Sequence, residues 1–248
     1  MRLSIICVLI VLVAAGVREG YQRSVRSSQI SASYAPASDG MVLVPAGDFQ
    51  MGSSAPNAEA DERPVRDVFL PAFDIYEVTN RQFKAFAPTH RFPDETVDWP
   101  ATGIHKQQAV AYAAALGKRL PTAAEWEKAA GGTDGRRYPW GERFDNARCN
   151  SRAPGDPKRD LMPVGSFPDG VSPYGCHDMS GNAWEWVSDV HIEDSILDTR
   201  WKSRRGILKG GAHGYSPYQA RIAYNGFEDE RTTCNDVGFR CASDAEPE

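Results

Sequence analysis

The stretch Asp178–Asp189, DMSGNAWEWVSD, places a Gly-Asn pair, two tryptophans and Glu185 within a dozen residues. Two tryptophans flanking one carboxylate serve one of two ends: ordinary core packing, or the wall of a metal or substrate site. The other reactive side chains are cysteines. Setting aside Cys7, which lies in an N-terminal apolar run, four remain: Cys149, Cys176, Cys234 and Cys241. An even number in an exported protein points to two disulfides, with four buried thiols as the alternative. No C-x2-C pair occurs, which argues against a zinc site.

Three helices and several short strands are expected to position these groups. MVLVPAGDFQMGS, from Met41, reads as two strands around a Pro45-Ala46-Gly47 turn, and VRDVFLPAFDIYEVT continues in the same style. Thr79 with Gln82 forms a capping-box signature, followed by Phe83, Phe86 and Ala87 on one helical face. In HKQQAVAYAAALGKRLP, Ala109, Tyr112, Ala113 and Leu116 recur at helical spacing and Gly117 is placed to end the helix. Thr122 with Glu125 caps a third helix, AAEWEKAA, which stops at Gly131-Gly132. From Thr133 onward the pattern predicts loops, turns and short strands. The fold class is α+β and loop-rich, and long irregular segments of this kind are usually functional or fixed by ions and disulfides.

The chain has 248 residues, 41% of them hydrophobic, which suits one domain with a substantial core. Its 22 glycines and 17 prolines argue for many turns. The formal net charge is -5 and no Lys/Arg-rich run stands out, so no nucleic-acid partner is expected. LSIICVLIVLVAAG, after Met1-Arg2, fits a secretory signal peptide over residues 1–19, or an uncleaved membrane anchor. Export to the periplasm or medium follows as an expectation, with that anchor the only link to a membrane. Residues 20–40 read as a disordered linker and 41–245 as the folded domain.

MVLVPAGDFQMGS, YEVTNRQFKAF, GKRLPTAAEWEKAA, YPWG, PVGSFPDG, YGCHDMSGNAWEWVSD, KGGA and VGFRCA occur in an order that resembles the formylglycine-generating enzyme (sulfatase-modifying factor) family. The resemblance spans about Met41 to Ala242. It implies a variant of the C-type-lectin-like fold with two structural calcium ions. One ion would take side-chain oxygens from Asp178 and Glu185 and carbonyls from Gly181 and Ala183. The other would take Asn150, the Ser151 carbonyl and Asp156, although Lys158 stands where the family has a further ligand. Calcium's demand for six to eight oxygens suits such loops. Trp184 and Trp186 are expected to divide between groove and core.

The resemblance also shows what this chain lacks. The family's enzyme binds copper through a C-x4-C pair just after its GGS; here those positions hold Tyr215 and Ala220, and the serine is Ala212. A bis-thiolate site for soft Cu(I) is therefore not expected. A second branch, which forms carbon-sulfur bonds with a histidine-bound iron, is not supported either, because the five histidines do not cluster. The groove is expected to offer Trp184, His213, Tyr215, Ser216, Tyr218, Arg221 and Tyr224, for stacking and hydrogen bonding. If it is catalytic, His213, Tyr215 and Arg221 are the candidates. The leading expectation is an exported, calcium-braced domain that binds a peptide or protein partner. The alternatives are a divergent periplasmic oxidase of a peptide-derived substrate, of the pyoverdine-maturation type, and, ranked below it, a formylglycine-generating enzyme. The family pairs the GFRC cysteine with one at the position of Ala113. Cys241 must then find another partner or stay free, and of the three possible pairings the favoured one is Cys234–Cys241, across a turn at 235–238, with Cys149–Cys176.

Overall fold

A computed structural model describes residues 40–152, 160–194 and 202–245. The expected leader, nearly all of the linker, Asp156 and Lys158 lie outside the described residues. Among the described residues there are eight strands: β1 (Val42–Val44), β2 (Gly47–Met51), β3 (Arg66–Leu70), β4 (Phe73–Glu77), β5 (Trp184–Asp194), β6 (Lys202–Lys209), β7 (Gly226–Glu228) and β8 (Val237–Asp244). Strands β2 and β3 pair on their own. The others form one sheet in the order β1-β4-β8-β5-β6-β7, antiparallel throughout except for the parallel β5–β8 contact.

The helices form where their caps put them. α1 (Asn80–Phe86) and α3 (Ala123–Gly131) start at the capping boxes Thr79–Gln82 and Thr122–Glu125. α2 (Lys106–Ala115) starts at His105, whose ring accepts from Gln108 N while the Gln108 side chain returns to His105 N. Gly117 and Gly132 follow α2 and α3 with φ of 67° and 72°, a region in which a side chain would be strained.

Two apolar clusters flank the sheet. One gathers Phe83, Ala109, Tyr112, Trp184, Trp186 and Phe239; the other gathers Val44, Phe73, Ile75, Trp126, Met179 and Val187. Successive residues of β5 feed both, since alternate side chains of a strand point to opposite faces. Trp184 and Trp186 enter the first cluster and Val187 the second.

Two sequence expectations are corrected here. The segment after Thr133 is not confined to short strands: β5 has eleven residues, and β6 and β8 have eight each. The expected disulfides are absent, and Cys149, Cys176, Cys234 and Cys241 are all thiols. No hairpin forms between Cys234 and Cys241, because Val237–Asp244 runs as one strand between β4 and β5. Cys241 lies four residues along that strand, about 13 Å beyond Val237. Burial pushes its thiol up to about 12.

Candidate functional site

The DMSGNAWEW segment turns sharply before it becomes β5. Asp178 and Asn182 have φ of 56° and 65°, unusual for residues with a side chain. Gly181 has φ of 80° and pairs with Asn150, whose carbonyl accepts from Asn182 N at 2.7 Å. The two loops to which the resemblance assigns calcium are thus joined through their backbones. Trp186 is fully buried, with Nε1 donating to the Ile104 carbonyl at 3.0 Å. Trp184 is 4% exposed and meets Tyr215 edge-on at 5.3 Å. One tryptophan therefore serves the core alone and the other backs the groove.

Behind this loop three carboxylates converge on one guanidinium. Arg240 donates through Nε to Glu185 Oε2 at 2.5 Å and through Nη2 to Glu185 Oε1 at 2.6 Å, and Trp126 Nε1 adds a bond to Oε2 at 2.6 Å. Glu77 Oε2 lies 3.8 Å from Arg240 Nη2, shut off from solvent and without a hydrogen-bond partner. Asp178 accepts Gly165 N at 2.7 Å. Burial, reinforced by Asp178, pushes the Glu77 carboxyl well above its usual range, and burial raises Asp178 too. Burial works against the charge of Arg240, but Glu185 outweighs it and holds the guanidinium above its ordinary value.

This donor set fits a cation by charge. Three buried acids face one arginine, and Glu77 Oε2 and Asn150 Oδ1 are buried oxygens without partners. Glu185 uses three of about four lone-pair sites on protein donors. Among the described residues no group of three or more His, Cys, Asp or Glu is already arranged to hold a metal ion.

The residues expected to line the groove follow β6, apart from Trp184. Tyr215 is 36% exposed, and Tyr224 packs against Trp184 at 6.0 Å and Tyr218 at 5.5 Å. Tyr218 OH donates to Glu59 Oε1 at 2.6 Å, and Ser216 Oγ to Gln219 Oε1 at 2.9 Å. Backbone bonds tie the rim down: Arg152 N to the Tyr215 carbonyl at 2.7 Å and His213 N to the Asn182 carbonyl at 3.0 Å. His213 Nδ1 is buried without a partner.

The placement of Arg221 among ligand-facing or catalytic groups is corrected. Its side chain is buried, and both terminal nitrogens bind Glu62 at 2.7 Å. Nε bonds to the Tyr218 carbonyl, and the guanidinium lies 4.0 Å from the Tyr218 ring centre. It supports the aromatic wall from behind. Ala220, at the second copper-cysteine position, is buried, and its carbonyl accepts Ser180 Oγ at 2.6 Å.

Sequence reasoning gave Cys234 only a disulfide role, whereas the structure packs it against the cluster that holds Trp184 and Tyr224, beside Tyr215. Burial, with Glu228 and Asp236, raises its pKa, so it holds little thiolate at neutral pH. One thiol of that character does not make a two-thiolate copper site. Spacing could not reveal it, since 19 residues separate it from Tyr215 and only the β6–β7–β8 path brings them together.

Fold and groove together define a domain of the formylglycine-generating type with the copper-cysteine positions filled by other residues. Residues 27–245 match the sulfatase-modifying factor enzyme 1-like domain. The inactive C-alpha-formylglycine-generating enzyme 2 of Bos taurus is 30% identical over 273 residues, covering 83% of this chain and 88% of that protein. The formylglycine-generating enzyme of Thermomonospora curvata is 32% identical over 286 residues, covering 83% and 93%. The solved structure of PvdO from Pseudomonas aeruginosa is similar with a TM-score of 0.68 at 23% identity, over 88% of this chain and 100% of that one. The chain belongs to the sulfatase-modifying factor enzyme 1-like family, and its fold is the one the resemblance implied.

Proposed function

We propose that this domain is a binding module rather than a copper oxidase, and that the face built on Trp184, Tyr215, Tyr218 and Tyr224 receives a peptide segment of a partner protein. The observation that carries this reading is the occupancy of the two copper-cysteine positions by exposed Tyr215 and buried Ala220. Tyr215 is exposed and Tyr218 and Tyr224 are half-buried, and aromatic rings on a fixed backbone give contact area at low entropic cost. A relative of similar length whose name marks it as inactive is in keeping with it. The proposal includes export and structural calcium: one ion held by Asp178, the carbonyls of Gly181 and Ala183 and a remaining lone pair of Glu185, and a second by Asn150, the Ser151 carbonyl and Asp156. Bound there, calcium would supply charge balance to buried acids and would take no part in chemistry.

Incubation with a sulfatase-type Cys-containing peptide and Cu(I) is expected to yield no formylglycine by mass spectrometry and no oxygen uptake. Conversion of the peptide would overturn the binding-module reading. Selection from a displayed peptide library should enrich sequences on the wild type that are lost on Tyr215→Ala, an exposed substitution. Equal enrichment on both would place the interaction elsewhere. Calcium is tested separately. Chelation is expected to lower the melting temperature, because a ligand bound only by the folded state stabilises it. Identical melting with and without calcium would remove the ion from the account.

A further inference from the structure

Behind the aromatic wall, on the side that Arg221 lines, a cavity of about 400 Å³ opens between the end of β2 and the turn after α3. Its polar lining includes Gln50, Ser53, Ser54, Arg136, Arg137 and Glu142. That volume lies near the lower end of small-molecule sites, roughly 300–1,000 Å³. The cations in the lining are not equivalent. Arg136 is neutralised by Asp134 through Nε at 2.9 Å and Nη2 at 2.8 Å, and its Nη1 bonds to the Pro139 carbonyl. Arg221 is neutralised by Glu62. Arg137 differs from both: no carboxylate pairs with it among the described residues, its side chain lines the cavity, and its Nε, shut off from the cavity's solvent, has no hydrogen-bond partner, so the charge rather than that nitrogen meets a ligand. Its guanidinium lies 5.8 Å from the centre of the Tyr138 ring.

The local backbone presents this arginine. Gly135 has φ of 68°, and a Cβ there would lie 2.9 Å from Gln50 Oε1, so a glycine lets the turn close over β2. Gln50 N bonds to the Thr133 carbonyl at 3.3 Å, and Ile222 N to the Arg137 carbonyl at 3.0 Å, fixing the turn on both sides. A partly buried guanidinium without a counter-charge is costly, and a bound anion would offset that cost. Its planar fork matches a two-oxygen acceptor.

We propose that this cavity binds the oxyanion group of a small ligand, with Arg137 as its principal contact and the Ser53–Ser54 turn and Gln50 as neutral hydrogen-bonding groups. Ala55, Val65 and Ala223 close the remaining wall and leave room for a short apolar body. Glu142 is exposed and lines the same cavity, which disfavours a second negative charge on the ligand. A carboxylate therefore fits better than a dianionic phosphate.

The test uses the full chain with acetate, propionate, sulfate and phosphate as probes, at constant ionic strength balanced with chloride. Binding is read by calorimetry and by the NMR resonance of Arg137 Nε. The expected result is a saturable shift of that resonance. Affinity should fall roughly tenfold or more in Arg137→Gln, as for loss of a charge-assisted hydrogen bond. It should rise in Glu142→Gln. Preference for acetate and propionate identifies a carboxylate ligand; preference for sulfate or phosphate keeps the oxyanion site and assigns it to an ester of those acids. If no probe outcompetes chloride, or Arg137→Gln binds as the wild type does, the proposal fails. Should Arg137→Gln not fold, the Nε resonance of the wild type and the Glu142→Gln affinity decide, and an unmoved resonance overturns it.

Discussion

Arg240→Ala is expected to destabilise the domain by about 3–5 kcal/mol, the usual cost of breaking a buried ion pair by removing one partner. Arg240 is buried and bonds both oxygens of Glu185 and the His177 carbonyl. It is also the nearest cation to Glu77. Its loss leaves three buried carboxylates with no guanidinium among them. The loss is measured by urea unfolding in chelator at neutral pH. Acidification should shrink it. Glu77 and Asp178 titrate above the usual carboxylate range in the folded state, so the folded protein holds more protons than the unfolded chain between the two sets of values. Stability from these groups is fully present below the unfolded pKa and falls as pH rises through the folded one. A variant as stable as the wild type at neutral pH would show that the acids do not need their arginine.

Gly181→Ala is expected to cost on the order of 4 kcal/mol or more, placing it among the exceptional single substitutions. Two penalties add. The backbone at φ 80° disfavours a side chain by roughly 1–2 kcal/mol. The new Cβ would also collide with the Asn150 carbonyl oxygen, which Asn182 N and the Asn150–Gly181 bridge hold in place. Gly175→Ala separates the terms: its φ is 92°, yet nothing lies within 4 Å of the added carbon. It should lose only the conformational part. Thermal unfolding of both variants settles the comparison, and equal losses would mean that the contact with Asn150 yields freely.

Legibility in the sequence follows range. Thr79–Gln82 and Thr122–Glu125 act over three residues, and each helix begins where its cap signals. The His105–Gln108 box escaped notice because histidine is not a usual capping residue. β5 was hidden for a different reason. It lies inside the sheet with Trp184, Glu185, Trp186 and Val187 all buried, so no apolar–polar alternation marks it. The groove tyrosines could be read from their cluster, whereas the fate of Arg221 could not. Glu62, its partner, lies 159 residues earlier and is reached only through the fold. The same holds for Glu185 and Arg240, 55 residues apart. The resemblance supplied the architecture, but it could not say which arginines are already paired.

The last strand occupies an interior place in the sheet, between β4 and β5. During synthesis, the edges of β4 and β5 that it joins must wait for Val237–Asp244, while the ribosome adds only ~5–20 residues per second. The unfinished chain therefore spends about a second with the N–H and C=O groups of two strand edges unpaired, and long-range pairing of this kind is slow to form. A nascent chain stopped before Val237 lacks the strand that joins its two halves. Its unpaired strand edges would be open to chaperones and proteases, so the arrival of β8 is the step that commits the two halves of the sheet to one another.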